Sequence, residues 1–407
     1  MKVIFSNQCG ENMGWLALDD TDHLGGGCTT YTLFELIQNL PDEYTASEFR
    51  LVRLYPFARQ RTRGNAAVAV KIDGDNYEVL LSFLDLWWNE NILPLKGMLT
   101  QSDDYHRKQS PTDPGMVWFE EQPNESTYWD CVTREVTLVE LPAATKSWGG
   151  HGKIGATAAI AWPSREYTFE AISWRTKKSV EKSSDRKVDL VRLAEIDEDP
   201  NTFMSRDLRS NSVLISPRGN CPVLFGLRAK TFESAKNGCE FLIESNNTES
   251  VEGYVVFQTN QATDDHLGDE MSSVVDSIEI KKRGTVKILC DNGDELMAFA
   301  ESGDVKILAQ WLKSGDEVQY NGMKNEDNTI HLERLQVLSA APEKHRPKCS
   351  ECDSTLKSMG KDQLLRCPKC RKRFADQWIN VERIPPFSKW VQPPKDSMRH
   401  LSKPITW

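Results

Sequence analysis

A chain of 407 residues, 39% hydrophobic and 27% charged, is long for one hydrophobic core, and roughly two to four domains are expected. No apolar run approaches the ~18 residues of a membrane span, and Met1 to Trp15 carries Asn, Gln, Glu and Gly where a secretory leader needs an unbroken apolar stretch; a cytoplasmic protein is expected. The net charge of -10 is unevenly spread: residues 341–407 hold 15 Lys and Arg against 7 Asp and Glu, leaving 35 against 53 elsewhere.

A basic terminal module on an acidic body is the asymmetry expected when one end docks on a polyanion. A solvated surface gives the same counts, so charge alone leaves both readings open.

The first elements in the chain are an apolar strand, Trp15 to Leu18, and the run Asp19-Asp20-Thr21-Asp22. Three carboxylates in four positions repel one another unless a cation or substrate offsets them. Gly25-Gly26-Gly27-Cys28-Thr29-Thr30 follows and opens a helix with apolar positions at Leu33, Leu36, Ile37 and Leu40. Glycines let backbone N–H groups approach an anion, and the helix N-terminus adds a favourable dipole. The lysine of a Walker A loop is missing, so this is not a standard P-loop. The pattern permits phosphoryl transfer, with Mg²⁺ on Asp19, Asp20 and Asp22 and the Thr29 or Thr30 hydroxyl near the phosphates. An acidic turn followed by threonine caps is the plainer reading.

Strands are expected at Phe49–Tyr55 and Ala66–Ile72, a helix at Tyr77–Trp88 and a loop from Gln101 to Gly115. Beyond these, Val136–Leu141, Ile154–Trp162, Tyr167–Trp174, Val223–Arg228, Phe232–Ile243 and Gly253–Thr259 read as strand, helix, strand, strand, helix, strand. That is the order of a ferredoxin-like unit, interrupted by the charged insert Thr176 to Lys187 and the segment up to Pro217. Residues 278–338 show five short strands with one helix, Val305 to Lys313, after the third, which is the plan of an OB-fold.

Six cysteines (Cys9, Cys28, Cys131, Cys221, Cys239 and Cys290) are scattered singly, whereas Cys349, Cys352, Cys367 and Cys370 form two C-x2-C pairs enclosing fourteen residues. Two such knuckles complete a tetrahedron around zinc, and four thiolates leave no open position for a catalytic water, so structural zinc is expected; a thioredoxin-like redox pair is the alternative, which two pairs at ribbon spacing make the poorer one. Lys369, Arg371, Lys372 and Arg373 surround the second knuckle, with Phe374 and Trp378 close by. Cations neutralise phosphates while aromatic faces stack on unpaired bases; a solvated rim with core aromatics is the alternative. Prolines at Pro385, Pro386, Pro393 and Pro394 argue against long helices in the tail.

Leu18-Asp19-Asp20-Thr21-Asp22 followed by Gly27-Cys28-Thr29-Thr30-Tyr31 resembles the opening of the archaeal isoleucine-tRNA 2-agmatinylcytidine synthetases. Arg61 to Ala66, Trp148-Gly149-Gly150 through Gly155-Ala156, and Pro222 to Gly226 agree as well. So do Phe257 to Gln261 with Thr263 to His266, and the tail Pro393-Pro394, Arg399-His400-Leu401 and Lys403-Pro404.

The resemblance spans nearly the whole chain and implies a multidomain α+β enzyme. Its expected parts are an ATP-binding kinase-like α/β domain (1–128), a ferredoxin-like domain (129–272), an OB-fold tRNA-binding barrel (273–341) and a zinc ribbon with a basic tail (342–407). The implied reaction joins agmatine to the wobble cytidine of an isoleucine tRNA with a CAU anticodon, converting ATP to AMP and diphosphate. The family's phosphorylated threonine maps onto Thr29 and its aspartates onto Asp19, Asp20 and Asp22. Gly26, Gly27, Thr30, Arg63 and Asn65 are expected at ATP. Asp264 and Asp265 are expected to hold a cationic substrate, and Lys372 and Arg373 the tRNA. No membrane and no obligate protein partner is expected. A non-catalytic OB-fold and zinc-ribbon factor for single-stranded nucleic acid is the competing reading, and it leaves the aspartate run without a role. The family starts closer to its first aspartate than this chain does, so Met1 to Asn12 is expected to be a disordered extension or to precede the true start at Met13.

Overall fold

The computed structural model describes the chain except residues 1–11, 24–25, 62–64, 100–109, 184, 208–211, 218, 220 and 361–362. All but the last residue of the expected N-terminal extension lies outside the described residues. The chain forms two compact units, residues 1–267 with 398–407, and Gly268–Ser397.

The first unit is built on one sheet of eight strands. In chain order its elements are β1 (Asn12–Asp19), α1 (Thr29–Gln38), β2 (Thr45–Arg53), β3 (Ala66–Asp73), α2 (Tyr77–Trp87), β4 (Gly115–Phe119), α3 (Ser126–Thr133), β5 (Lys146–Gly149), α4 (Lys153–Ala161) and β6 (Thr168–Arg175). Then come α5 (Lys177–Lys182), α6 (Leu190–Ile196), the short pair β7 (Arg206–Asp207) and β8 (Ser212–Val213), β9 (Val223–Ala229), α7 (Phe232–Ile243) and β10 (Val251–Thr259). The strand order is β5-β4-β1-β3-β2-β10-β6-β9. The seam at β2 and β10 is parallel, with Gln258 opposite Arg50 and Thr259 opposite Leu51.

Both faces of this sheet are covered, which is why β1 reads as a continuous apolar run rather than an alternating one. Leu16 and Leu18 pack with α1 and α2, through Leu33, Leu36, Leu80 and Leu84. Trp15 and Ala17 pack with α3 and α4, through Tyr128, Val132, Ala158 and Trp162. Farther along, Leu227, Tyr254 and Val256 pack with Leu193 of α6 and Ala235 and Leu242 of α7.

One expected strand is absent. Val136–Leu141 holds only a 3₁₀ turn, Leu138–Glu140, because the Thr137 and Glu140 side chains cap each other's backbone reciprocally. Val139 is left 93% exposed, a position a buried strand would not tolerate. The expected βαββαβ order therefore lacks its first strand, and the remaining strands extend the N-terminal sheet. The expected elements that did form differ from their sequence-read limits by a few residues at most, as with Tyr77–Trp87 and Phe232–Ile243. Ser110 to Pro114 is irregular, and the earlier part of the expected Gln101–Gly115 loop lies outside the described residues.

The second unit opens with a closed barrel of order β11-β12-β13-β15-β14. Its strands are β11 (Met271–Ile280), β12 (Val286–Cys290), β13 (Glu295–Ala298), β14 (Glu317–Lys324) and β15 (Thr329–Ser339), with α8 (Asp304–Trp311) after the third. Val286, Ile288, Leu296, Leu308 and Tyr320 fill it. A strand pair, β16 (Glu343–His345) with β20 (Ile379–Val381), brackets a three-stranded ribbon of β17 (Lys357–Ser358), β18 (Leu365–Arg366) and β19 (Arg373–Phe374). Arg383 stacks on Trp311 at 4.0 Å and pairs with fully buried Asp316 at 2.6 Å, tying the segment after β20 to the barrel. Among the described residues no helix is long and apolar enough to cross a membrane.

Candidate active site and zinc centre

β1 delivers the aspartate run to the edge of a cleft. Asp19 is its last residue and is 8% exposed. Asp20 turns the chain with φ 60, in the left-handed region that Asp and Asn tolerate best among side-chain-bearing residues. The Asp20 backbone N–H donates to Asp19 Oδ1 at 2.6 Å, and Asp20 Oδ2 accepts from the Asp113 backbone N–H at 3.0 Å. Burial, then the charge on Asp20, holds the Asp19 carboxyl well above the ordinary carboxylate range. Burial also pushes the Asp20 carboxyl from 3.8 up to about 7. Two desolvated carboxyls side by side favour binding of a cation, whose charge would offset both.

The wall beside Asp19 is the start of α4. A Cβ at Gly155 would lie 2.0 Å from Asp19 Oδ2, and one at Gly152 would lie 2.4 Å from the Asp19 carbonyl oxygen. Only glycine permits that approach. The preceding turn is fixed by Asp113, whose Oδ2 accepts the His151 backbone N–H at 2.7 Å. Asp19, Asp20, Tyr55, Arg61, Asn65 and His151 line an open cleft. Asn65 holds its own loop, donating from Nδ2 to the Tyr55 carbonyl at 2.7 Å.

Asp22 faces the other way, towards Thr29. Cys28, at the N-cap of α1, gives no side-chain cap; Asp22 Oδ1 supplies it by accepting the Thr29 backbone N–H at 2.8 Å. The same oxygen accepts the Thr29 hydroxyl at 3.2 Å, while the Thr21 hydroxyl donates to Thr29 Oγ1 at 3.3 Å. Thr29 is thus a hydroxyl oriented by a carboxylate, the arrangement of a nucleophile with its base. Thr30 is held from the far half of the sheet: Trp174 Nε1 donates to its Oγ1 at 3.3 Å, and Cys28 Sγ lies 3.1 Å from it. Gly27 lies against the His23 ring, where a Cβ would come within 2.2 Å, and Gly26 has φ 101.

Of the expected site residues, Asp19, Asp20 and Asn65 share the cleft. Asp22, Gly26, Gly27, Thr29 and Thr30 form the adjoining loop and helix start. Among the described residues the three aspartates do not converge as a single metal-ligand cluster. Arg63 lies outside the described residues. Neither Asp264 nor Asp265 lines the cleft: Asp264 Oδ1 accepts the Lys403 backbone N–H at 2.7 Å, and Asp265 accepts the Tyr128 hydroxyl. Asp113, Gly152 and Gly155 went unread as site residues. Asp113 sits in a polar stretch indistinguishable from any loop, and the glycines of α4 were legible only as a matched motif.

In the second unit, the Sγ atoms of Cys349, Cys352, Cys367 and Cys370 all lie within 4.8 Å of one another, with Cys349 and Cys370 at 3.6 Å. Tetrahedral zinc with bonds of ~2.3 Å sets its sulfurs about 3.8 Å apart, so the four thiols fit the metal. Leu356 and Leu365 pack beneath them. Lys372 pairs with Glu351, Arg373 is exposed on β19, and Arg346 stacks on Trp378 at 3.9 Å.

Three family models match the chain: the TiaS TCKD domain over residues 15–152, the TiaS FLD domain over 150–266 and the TiaS C-terminal zinc ribbon domain over 346–384. The isoleucine-tRNA 2-agmatinylcytidine synthetase TiaS of Methanopyrus kandleri is 30% identical over 440 residues, covering 96% of each chain. That of Pyrobaculum neutrophilum is 31% identical over 416 residues, covering 96% of this chain and 94% of the relative. The crystal structure of TiaS in complex with its isoleucine tRNA and ATP matches with TM-score 0.79 at 25% identity, over 96% of both chains. Apo TiaS matches with TM-score 0.76 at 25% identity, over 96% of this chain and 97% of that one. Together with the aspartate–threonine site and the four-cysteine centre, these likenesses place the chain in the isoleucine-tRNA 2-agmatinylcytidine synthetase (TiaS) family.

Proposed function

We infer that this chain is a ligase that joins agmatine to the wobble cytidine of the CAU-anticodon isoleucine tRNA, driven by ATP. The observation that carries the reading is the Thr29 hydroxyl bonded to Asp22, one turn of chain from two carboxyls of raised pKa, in a chain collinear with its TiaS relatives. A non-catalytic nucleic-acid factor gives that arrangement no work.

The 2-oxo group of cytosine is a poor leaving group. Phosphorylation of that oxygen turns it into a good one; the agmatine amine then attacks C2, a C–N bond forms, the C–O bond breaks and phosphate departs with the electron pair. One phosphorus of ATP thus leaves as that phosphate, and the ADP that remains is cleaved by water to AMP and a second phosphate, so the expected AMP and diphosphate become AMP and two phosphates. Thr29 serves as a phosphoryl acceptor and Asp22 takes its hydroxyl proton. Because Thr29 is 3% exposed, this transfer requires its surroundings to move. Asp19 and Asp20 would hold a Mg²⁺ ion, which would offset negative charge on the phosphates of ATP. Asp22 is turned to Thr29 instead.

Gly26 and Gly27 with the first turn of α1 cradle phosphate, Thr30 completes that turn, and Asn65 belongs to the lining of the cleft; Arg63 remains an expectation of the resemblance. We read the sheet half carrying these elements as the kinase-like domain, and β6, β9, α7 and β10 as the ferredoxin-like remainder. Barrel and ribbon hold the tRNA, with Lys372 and Arg373 on phosphates, and the cytoplasm is where such a substrate is met. Asp264 and Asp265 bear on the cationic substrate only indirectly, Asp264 through the tail it anchors and Asp265 through Tyr128. The test is phosphoryl transfer: wild-type protein incubated with γ-labelled ATP should gain label, Thr29→Ser should keep it and Thr29→Ala should lose it. Label of equal intensity on Thr29→Ala removes Thr29 from the mechanism.

A further inference from the structure

Behind the aspartate loop, two guanidiniums share one carboxylate. Arg53, at the end of β2, approaches Glu170 Oε2 at 3.5 Å, and Arg228 of β9 approaches Glu170 Oε1 at 3.6 Å. Glu170 itself is 4% exposed. Its room comes from the neighbouring strand: a Cβ at Gly226 would lie 2.4 Å from Glu170 Oε1. Both distances exceed a tight charged hydrogen bond of ~2.8 Å, and one carboxylate leaves the trio with a net positive charge.

The C-terminal segment brings a third nitrogen donor to the same place. The Ala262 backbone N–H donates to the His400 carbonyl at 2.9 Å, and that of Asp264 donates to the Leu401 carbonyl at 2.9 Å. Leu401 is buried in the core beside α3 and α4. So the tail is seated, not draped. Gln261 Nε2 donates to Glu170 Oε2 at 2.6 Å, which turns its amide oxygen to His400 Nδ1 at 3.1 Å. A carboxylate only accepts, so the amide orientation is fixed, and His400 must donate from Nδ1 and carry its lone pair on Nε2. His400 is exposed on one side, and the atoms packed against the rest of its ring desolvate it. The Arg53 guanidinium, that desolvation and Arg228 together hold the imidazole well below its ordinary value. Asp22, the partner of Thr29, is close enough to act on Arg53 electrostatically.

We propose that Arg53, Arg228 and His400 form a subsite for a phosphate group, placed on the Asp22 side of the catalytic loop and opened to solvent at His400. Guanidinium forks match phosphate oxygens, and a phosphate dianion draws a proton onto His400 Nε2 to make it a further donor. The inference deepens the ligase reading and rests on it for the source of the phosphate: the phosphates of ATP, or the tRNA backbone beside the wobble nucleotide.

The experiment uses the full chain with selectively labelled histidine, titrated with inorganic diphosphate and, separately, with an anticodon stem-loop RNA. His400→Gln identifies the resonance without disturbing the Arg–Glu trio. If ATP supplies the phosphate, diphosphate shifts the His400 signal towards the imidazolium form, and Arg228→Met weakens diphosphate binding at least tenfold. If the tRNA supplies it, the stem-loop RNA produces that shift instead, and Arg228→Met lowers the salt dependence of RNA binding by about one phosphate contact. Arg228→Lys, which keeps the charge and relieves Glu170, guards against a folding artefact and should lose a part of the affinity. A His400 signal indifferent to both ligands, with Arg228→Met altering only the melting temperature, makes the trio a structural ion pair and overturns the proposal. Agmatine ligation by the wild-type chain, measured alongside, reports on the ligase reading separately.

Discussion

Asp20→Asn should make the protein more stable at alkaline pH. The Asp20 carboxyl is pushed up to about 7 from 3.8, burial being the largest cause and the Asp113 N–H a partial offset. A carboxyl whose folded pKa is raised contributes stability that is fully present below its unfolded pKa and is lost as pH rises through the folded value. The window is therefore about pH 4 to 7. Each pK unit corresponds to about 1.4 kcal/mol, so the charged form costs about 4 kcal/mol by pH 8. For a unit of this size that is on the order of 10 °C in melting temperature. Asparagine keeps the side-chain shape, can still accept the Asp113 N–H, and tolerates the φ of 60 at this position. Melting curves by circular dichroism at pH 4 and pH 8, without Mg²⁺ or ATP, should show similar wild-type and variant values at pH 4 and a higher variant value at pH 8. Adding Mg²⁺ and ATP should raise the wild-type value more than the variant's. A variant that melts below wild type at pH 8, or parallel curves across the range, would refute the claim that this carboxylate is held at a cost to the fold.

Gly155→Ala gains helix propensity yet places a Cβ 2.0 Å from Asp19 Oδ2; ligation should fall about 100-fold from misplaced carboxylate, and a rate within twofold of wild type contradicts the assigned position of Asp19. Trp174→Phe keeps the ring stacked on Phe34 at 4.6 Å but removes the N–H donated to Thr30; kcat should drop several-fold with the melting temperature within a few degrees, and an unchanged kcat would free Thr30 from this control. Cys367→Ser should abolish the one bound zinc expected by elemental analysis and weaken tRNA binding at least tenfold while the barrel still melts cooperatively; tRNA affinity equal to wild type would detach the ribbon from tRNA binding.

Much of the fold was readable because its causes are local. The four cysteines declare their geometry by spacing, the barrel declares itself by five short strands with a helix after the third, and α7 by its Thr231 cap and apolar stripe. What escaped had distant causes. Val136–Leu141 looks like a strand until Thr137 and Glu140 cap each other. Strands β4 and β5 are short and flanked by polar, irregular segments; β4 is fixed by pairing with β1, and β5 by pairing with β4, partners far away in sequence. The aspartates and Thr29 could be named from sequence, but their division could not: Asp19 and Asp20 look into the cleft while Asp22 caps α1. Asp264 and Asp265 read as a cation site and proved to be engaged with the tail and Tyr128, contacts made across more than a hundred residues.

The most direct measurement is mass analysis of nucleosides from the CAU-anticodon isoleucine tRNA after incubation with the full chain, ATP and agmatine. The wobble cytidine should gain the mass of agmatine less water, AMP should accumulate in step, and Thr29→Ala should produce neither. Unmodified cytidine together with unconsumed ATP, under conditions where the chain binds the tRNA, would contradict the account.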